Sequence, residues 1–126
     1  MARKKTPTLT DAELRIMHVI WDKREASVND VLSSLPTEGQ PAYNTVLTTM
    51  RILEQKGYLE HIKRGRAFYY RPLVDRQRAR RKAIRHMLTH FFDDSPRELM
   101  LSILDDDDLS AADLKRLKQM IDEKEK

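Results

Sequence analysis

From Leu9 to Leu35 the chain carries two apolar stripes at helical spacing, each opened by the same local device. In Leu9-Thr10-Asp11-Ala12-Glu13-Leu14, the Thr10 hydroxyl can accept a free first-turn N–H, Glu13 can reach back to the Thr10 amide, and Leu9 can staple Leu14. A helix follows to about Lys23. At about 100° per residue, Leu14, Ile16, Met17, Ile20 and Trp21 share a broad face, while Asp11, Arg15, His18 and Asp22 share the opposite one. Ser27 with Asp30 repeats the capping box, and Val28, Val31, Leu32 and Leu35 form the stripe of a short second helix that Pro36 closes.

The segment Pro36-Thr37-Glu38-Gly39-Gln40-Pro41 is a turn by composition, with Pro41 expected as the first residue of a third helix running to Lys56 and Gly57 at its left-handed cap. The period then changes. Tyr58 to Lys63, the turn Arg64-Gly65, and Arg66 to Arg71 predict a β-hairpin, closed by Pro72, although His61 falls on the side of Leu59 and spoils the alternation. From Asp75 the pattern is helical again: Ile84, Met87, Leu88, Phe91 and Phe92 make one stripe, and Asp93-Asp94 end it. Ser95-Pro96-Arg97-Glu98 predicts a third capping box, before Leu99, Met100, Ile103 and Leu104. Leu109-Ser110-Ala111-Ala112-Asp113-Leu114 echoes the first helix start and opens a last helix with Leu114, Leu117 and Ile121.

Three short helices followed by a hairpin is the element order of a winged helix-turn-helix. The expected fold is therefore mainly α with a small β-hairpin: a winged helix-turn-helix domain over 1–73, then a three-helix C-terminal domain over 74–126. The second part has too little chain to bury its own large apolar residues, which points to a homodimer. Ile84, Met87, Leu88, Phe91, Phe92, Leu114, Leu117 and Ile121 are the expected dimerisation residues.

Composition narrows the class. The chain has 126 residues and no cysteine, which excludes disulfides and thiolate metal sites and fits a reducing compartment. Its basic start is followed by no apolar run that would serve as a signal or a membrane span, so a cytoplasmic protein is expected. Residues 1–72 hold 12 Lys/Arg against 8 Asp/Glu, net +4, whereas 73–126 hold 12 of each. Six basic residues lie within 76–86, and eight acids with only Arg97 within 93–113. A basic N-terminal half suggests a polyanionic partner, and the opposed charges of the second half suggest groups meeting across a fold or between subunits.

The third helix carries the functional signal. Val46, Thr49, Met50 and Leu53 fall on one side of the wheel, and Asn44, Thr48, Arg51 and Gln55 on the other. This outward side is polar, short-chained near its N-terminus and poor in acids, so it can enter a major groove. Asn can pair with adenine and Arg with guanine, while Thr can touch a thymine methyl or a phosphate. Thr48 costs the helix only about a few tenths of a kcal/mol, and its short side chain lets the backbone approach DNA. A solvated face would carry Glu and Lys, and only Gln55, Glu54 and Lys56 read that way. Lys63-Arg64-Gly65-Arg66 places three cations at the hairpin tip, within reach of phosphates or the minor groove, and Arg3-Lys4-Lys5 offers a further phosphate contact.

LTDAELRIMHVIW, AYNTVLTTMRILEQKGYL and GRAFYYRPLV resemble the signature segments of the penicillinase and methicillin-resistance repressors (BlaI/MecI) and their copper-responsive relatives. The resemblance covers nearly the whole chain from about Thr8. It implies a dimeric winged-helix repressor with a C-terminal helical dimerisation domain, which reads a dyad-symmetric double-stranded operator. It further implies that Asn44, Thr45, Thr48 and Arg51, with Arg64 and Arg66 of the wing, are the DNA contacts. Two departures stand out. Copper sensing through cysteines is excluded, and the Asn-Phe bond at which an inactivating protease cuts the antibiotic-responsive members is replaced near Ser102-Ile103.

Rival readings find less support. No glycine-rich phosphate loop, nucleophile elbow or catalytic carboxylate pair points to an enzyme or a cofactor. His86, His90 and Asp94 have a metal-like spacing on one helix face, but a solvated or interface-lining role fits them better. Asp105 to Asp108 lack the alternate spacing of a calcium loop and suit a turn before the last helix. The non-DNA alternatives are a winged-helix protein-interaction module without sequence-specific DNA binding, and a membrane-surface protein using the basic start of helix four.

Overall fold

The computed structural model describes residues 8–106 and 108–125. The order is α1 (Asp11–Lys23), α2 (Val28–Ser34), α3 (Tyr43–Gln55), β1 (Leu59–Arg64), β2 (Ala67–Pro72), α4 (Arg76–Phe91), α5 (Pro96–Leu104) and α6 (Ala111–Lys124). α1, α2 and α6 each open on a complete capping box, Thr10 with Glu13, Ser27 with Asp30, and Ser110 with Asp113. At α5 only half of the expected box forms: the Ser95 hydroxyl accepts from the Glu98 N–H, while the Ser95 N–H is already committed to the Phe92 carbonyl at 2.8 Å.

The third helix begins later than its proline suggests. Ala42 is extended (φ −69°, ψ 156°) and acts as N-cap, so α3 starts at Tyr43, two residues past Pro41. Pro41 instead belongs to the packed turn, where it lines a groove against α1 with Pro36 and Gly39. The helix ends with Gly57 at φ +86°, the left-handed conformation expected there. The hairpin turn is Gly65-Arg66, one residue beyond the sequence expectation, because Arg64 pairs with Ala67 and Leu59 with Pro72. Gly65, at φ +62°, supplies the positive φ that a two-residue turn with glycine at its first loop position demands. β2 also pairs on its other side with the α1–α2 connection: Ala26 and Tyr70 exchange backbone hydrogen bonds at 2.9 and 2.8 Å.

Two compact units result, Met1–His86 and Met87–Lys126, dividing within α4. The core of the first gathers Met17 and Ile20 of α1, Val31 of α2, Val46, Met50 and Leu53 of α3, and Tyr58, Leu59 and Tyr70 from the hairpin. Val74 and Ala79 join this core, and the Trp21 indole N–H donates to the Val74 carbonyl at 2.9 Å. Arg76 reaches Asp22 at 3.0 Å and stacks over Trp21, while the Lys82 ammonium lies 5.0 Å from the Tyr58 ring centre. The start of α4 is thus fastened to the winged-helix unit. In the second unit α5 and α6 bury no residue, and Phe91 is 77% exposed.

One polar contact runs through the first core. Glu13 is 4% exposed, and its Oε1 lies 2.7 Å from the Lys56 ammonium while also accepting the Thr10 N–H at 2.8 Å. Lys56 donates as well to the Thr8 carbonyl at 3.3 Å. Burial pushes the Glu13 carboxyl up, but the Lys56 and Thr10 hydrogen bonds and the Lys56 charge outweigh it and hold the group below its ordinary value. Lys56 is therefore an interior residue, not part of the solvated flank that its chemistry suggested, because the end of α3 delivers it to the first turn of α1.

Removing one partner leaves a buried charge unpaired, so Lys56→Met is expected to cost about 3 kcal/mol at neutral pH. A carboxylate with a depressed folded pKa contributes stability above its ordinary pKa and loses it as pH falls through the folded value. Without Lys56, burial governs Glu13 and the deficit narrows below about pH 4. Urea unfolding of both proteins across pH checks this, and a pH-independent deficit contradicts it.

Candidate nucleic-acid interface

α3 is gripped from behind by its own buried stripe. Val46, Met50 and Leu53 are at most 1% exposed, which leaves Asn44, Thr45, Thr48, Arg51 and Gln55 on the open side. Thr49 is half-buried and its hydroxyl donates to the Thr45 carbonyl at 2.8 Å, a helix-internal bond that removes it from external use. Among the described residues no side chain caps the first turn, and no acid lies in it, so its free N–H groups and the positive end of the helix dipole face outward. Such an end suits a phosphate beside the groove.

A cleft separates α3 from the wing. Its walls carry Tyr43, Leu47, Arg51 and Glu54 from the helix and His61, Arg66 and Phe68 from the hairpin. Tyr43 and Phe68 are half-exposed aromatics at this face that the helical projection did not single out; the signal available was their position one turn before Leu47 and beside the basic tip. The Arg51 side chain shares this cleft with Tyr70 of β2. Burial raises the Tyr70 pKa, the Glu54 charge adds to the rise, and Arg51 opposes it. Glu54 is not a solvated flank either. Its Oε2 accepts the His61 backbone N–H at 3.2 Å and lies 2.6 Å from His61 Nδ1, which ties the last turn of α3 to β1. This contact also explains the broken alternation: His61 shares the face of Leu59 but meets the end of α3 and the Phe68 and Tyr70 rings there.

The wing-tip cations divide. Arg64 pairs with Glu25 of the α1–α2 connection and stacks over Tyr69, with 5.7 Å to the ring centre. Lys63 lies 5.9 Å from the Phe68 ring centre. Arg66, at the second loop position, is exposed and makes no ion pair among the described residues. Arg3, Lys4 and Lys5 lie outside the described residues.

In the second unit and the end of α4, Ile84, Met87, Phe91, Leu114 and Ile121 are each at least 44% exposed, and Leu88, Phe92 and Leu117 are partly covered. Ser102 and Ile103 are exposed inside α5, so cleavage between them requires that helix to unwind. His86, His90 and Asp94 do not share a helix face. α4 ends at Phe91, Asp94 takes a left-handed φ of 60°, and its carboxylate accepts the Thr89 hydroxyl at 2.8 Å. In the acidic run, Asp105 ends α5 and the Asp106 carboxylate accepts the Asp108 N–H at 3.3 Å, while Asp107 lies outside the described residues. No described helix is long and apolar enough to cross a membrane.

With this geometry in place, comparison with known proteins is direct. Residues 9–123 match the family model of the penicillinase repressor. The penicillinase repressor of Bacillus licheniformis is 32% identical over 120 residues, which cover 95% of this chain and 94% of that protein. The methicillin resistance regulatory protein MecI of Mammaliicoccus sciuri is 24% identical over 120 residues, covering 95% and 98%. Among solved structures, the DNA-binding domain of the repressor BlaI matches with a TM-score of 0.50 and 38% identity, covering 59% of this chain and 90% of that one. A family model spanning both compact units, with a relative of similar length across nearly all of it, leaves one assignment: the chain belongs to the penicillinase repressor family.

Proposed function

We propose that this protein is a transcriptional repressor that binds a dyad-symmetric operator as a homodimer, with one α3 in the major groove of each half-site. The observation that carries the proposal is the open side of α3, where Asn44, Thr45, Thr48 and Arg51 stand exposed over a fully buried stripe. Asn44 and Arg51 are the base readers, Thr48 lets the backbone come close, and Thr45 lies beside the uncapped helix end that takes a phosphate. On the wing, Arg66 supplies a phosphate contact, and Arg64, steered by Glu25 and Tyr69, approaches the backbone from a fixed direction. A second copy covers the apolar residues from Ile84 to Phe92 and those of α6, which a lone chain leaves open. An inactivating protease acting near Ser102-Ile103 would separate α6 from the rest and so weaken the dimer.

On a preferred duplex, Arg51→Ala is expected to lose about 1 to 3 kcal/mol of binding and to relax sequence preference, because a bidentate base contact disappears. Arg66→Ala should weaken binding to every duplex alike and flatten the salt dependence by about one unit. Anisotropy titrations over a salt series separate the two, and an equal loss on all sequences for Arg51→Ala overturns its role as a base reader.

Truncation after His86 keeps Val74 and Ala79 in their core and removes the second unit. Sedimentation should then show a monomer, with operator affinity reduced by about a hundredfold or more through loss of the second recognition helix. A truncated protein that remains dimeric contradicts the placement of the dimer interface.

A further inference from the structure

Arg51 leaves α3 as an exposed side chain that lines the cleft between the helix and the wing. Arginine has many rotamers, and freezing them when a base is read costs affinity unless another group has already narrowed the choice. Tyr70 lines the same cleft as Arg51 and carries a hydroxyl that can serve as such a group. It is 4% exposed, and its backbone is paired with Ala26 at 2.8 and 2.9 Å in addition to its partner His61 on β1, so the ring is fixed from both sides of the strand. A hydroxyl takes one of the five guanidinium N–H donors and leaves enough for a bidentate contact with a guanine.

Glu54 is the complication. It stands three residues after Arg51 on the same helix, the spacing at which an acid and a base pair along a helix surface. Such a pair would draw the guanidinium back along the helix and neutralise it at the DNA face. The Glu54 carboxylate is instead engaged by β1, through the His61 backbone N–H at 3.2 Å and the ring Nδ1 at 2.6 Å. Arg51, Glu54, His61 and Tyr70 all line the one cleft between α3 and the wing.

We propose that Tyr70, together with the His61-held Glu54, positions Arg51, so that the wing strands set sequence preference at a base pair they do not touch. The phenol points the guanidinium at the groove, and His61 occupies the acid that would compete for it. This extends the reading of Arg51 as a base reader and rests on it. The wing then has two separable roles: its tip binds the backbone, and its root preorganises a reader.

The test uses the full-length protein as wild type, Tyr70→Phe, His61→Ala, Arg51→Ala and the Tyr70→Phe/Arg51→Ala double variant. Each is titrated against a preferred duplex and the set of its single-base-pair changes, over a salt series. Tyr70→Phe keeps the buried ring and should reduce discrimination about threefold to tenfold at the base pair where Arg51→Ala reduces it, with an unchanged salt slope. His61→Ala should lose discrimination at the same base pair, and it carries the test should Tyr70→Phe fail to fold. The double variant should behave as Arg51→Ala alone, which a purely structural role for Tyr70 would not produce. Discrimination retained in Tyr70→Phe and His61→Ala, or a further loss in the double variant, overturns the proposal while the base-reading role of Arg51 stands. If Arg51→Ala itself discriminates as wild type, the base-reading role falls and this proposal falls with it.

Discussion

The buried contact between Glu13 and Lys56 is the constraint on which the winged-helix unit depends. It joins the first turn of α1 to the residue that ends α3, at 2.7 Å and in nearly complete isolation from water. Buried ion pairs rarely add much net stability, because desolvation offsets the attraction, but they tolerate very few alternative arrangements. Two donors satisfy the Glu13 carboxylate, the Thr10 N–H and the Lys56 ammonium, while the Glu13 N–H donates to the Thr10 hydroxyl, so the end of α3 is joined to the capped first turn of α1. Apolar packing of Val46, Met50 and Leu53 buries one side of α3; the ion pair fixes how far along and at what angle it lies. That decides which residues of α3 reach outward.

The same economy governs the interface. Side chains that look solvated in a helical projection are tied to a neighbouring element: Lys56 to α1, Glu54 to β1, Arg64 to the α1–α2 connection and Arg76 to α1. What remains open along α3 and the wing is polar or cationic apart from the exposed Tyr43, Ile52 and Phe68. The result is a rigid surface whose acids are already engaged, so that it presents little repulsion to a phosphate backbone. Preorganisation of this kind lowers the ordering cost at binding, which matters where specificity rests on a few side chains.

How much was legible in the sequence follows the range of each interaction. The capping boxes at Thr10, Ser27 and Ser110 act over three residues and appear in the structure as read, and the buried and open sides of α3 follow from periodicity alone. Errors begin where a distant partner decides. Glu13 and Lys56 are 43 residues apart and Arg64 and Glu25 are 39, so nothing in the local pattern separates them from surface charges. Pro41 has the right φ for a helix start, yet turn packing delays the helix to Tyr43. Asp94 fits a helical spacing with His90 only if the helix continues, and it stops at Phe91. Tyr70 reads as one more strand aromatic until the fold sets it in one cleft with Arg51.

The central claim is that two copies of α3 read two copies of one half-site. Selection of bound duplexes from a random pool by the full-length protein, followed by sequencing, tests it most directly. An enriched sequence with dyad symmetry is expected, its half-sites separated centre to centre by about one helical turn of DNA or a multiple of it. A pool that binds but shows no enriched sequence, or an enriched sequence without symmetry, would contradict it.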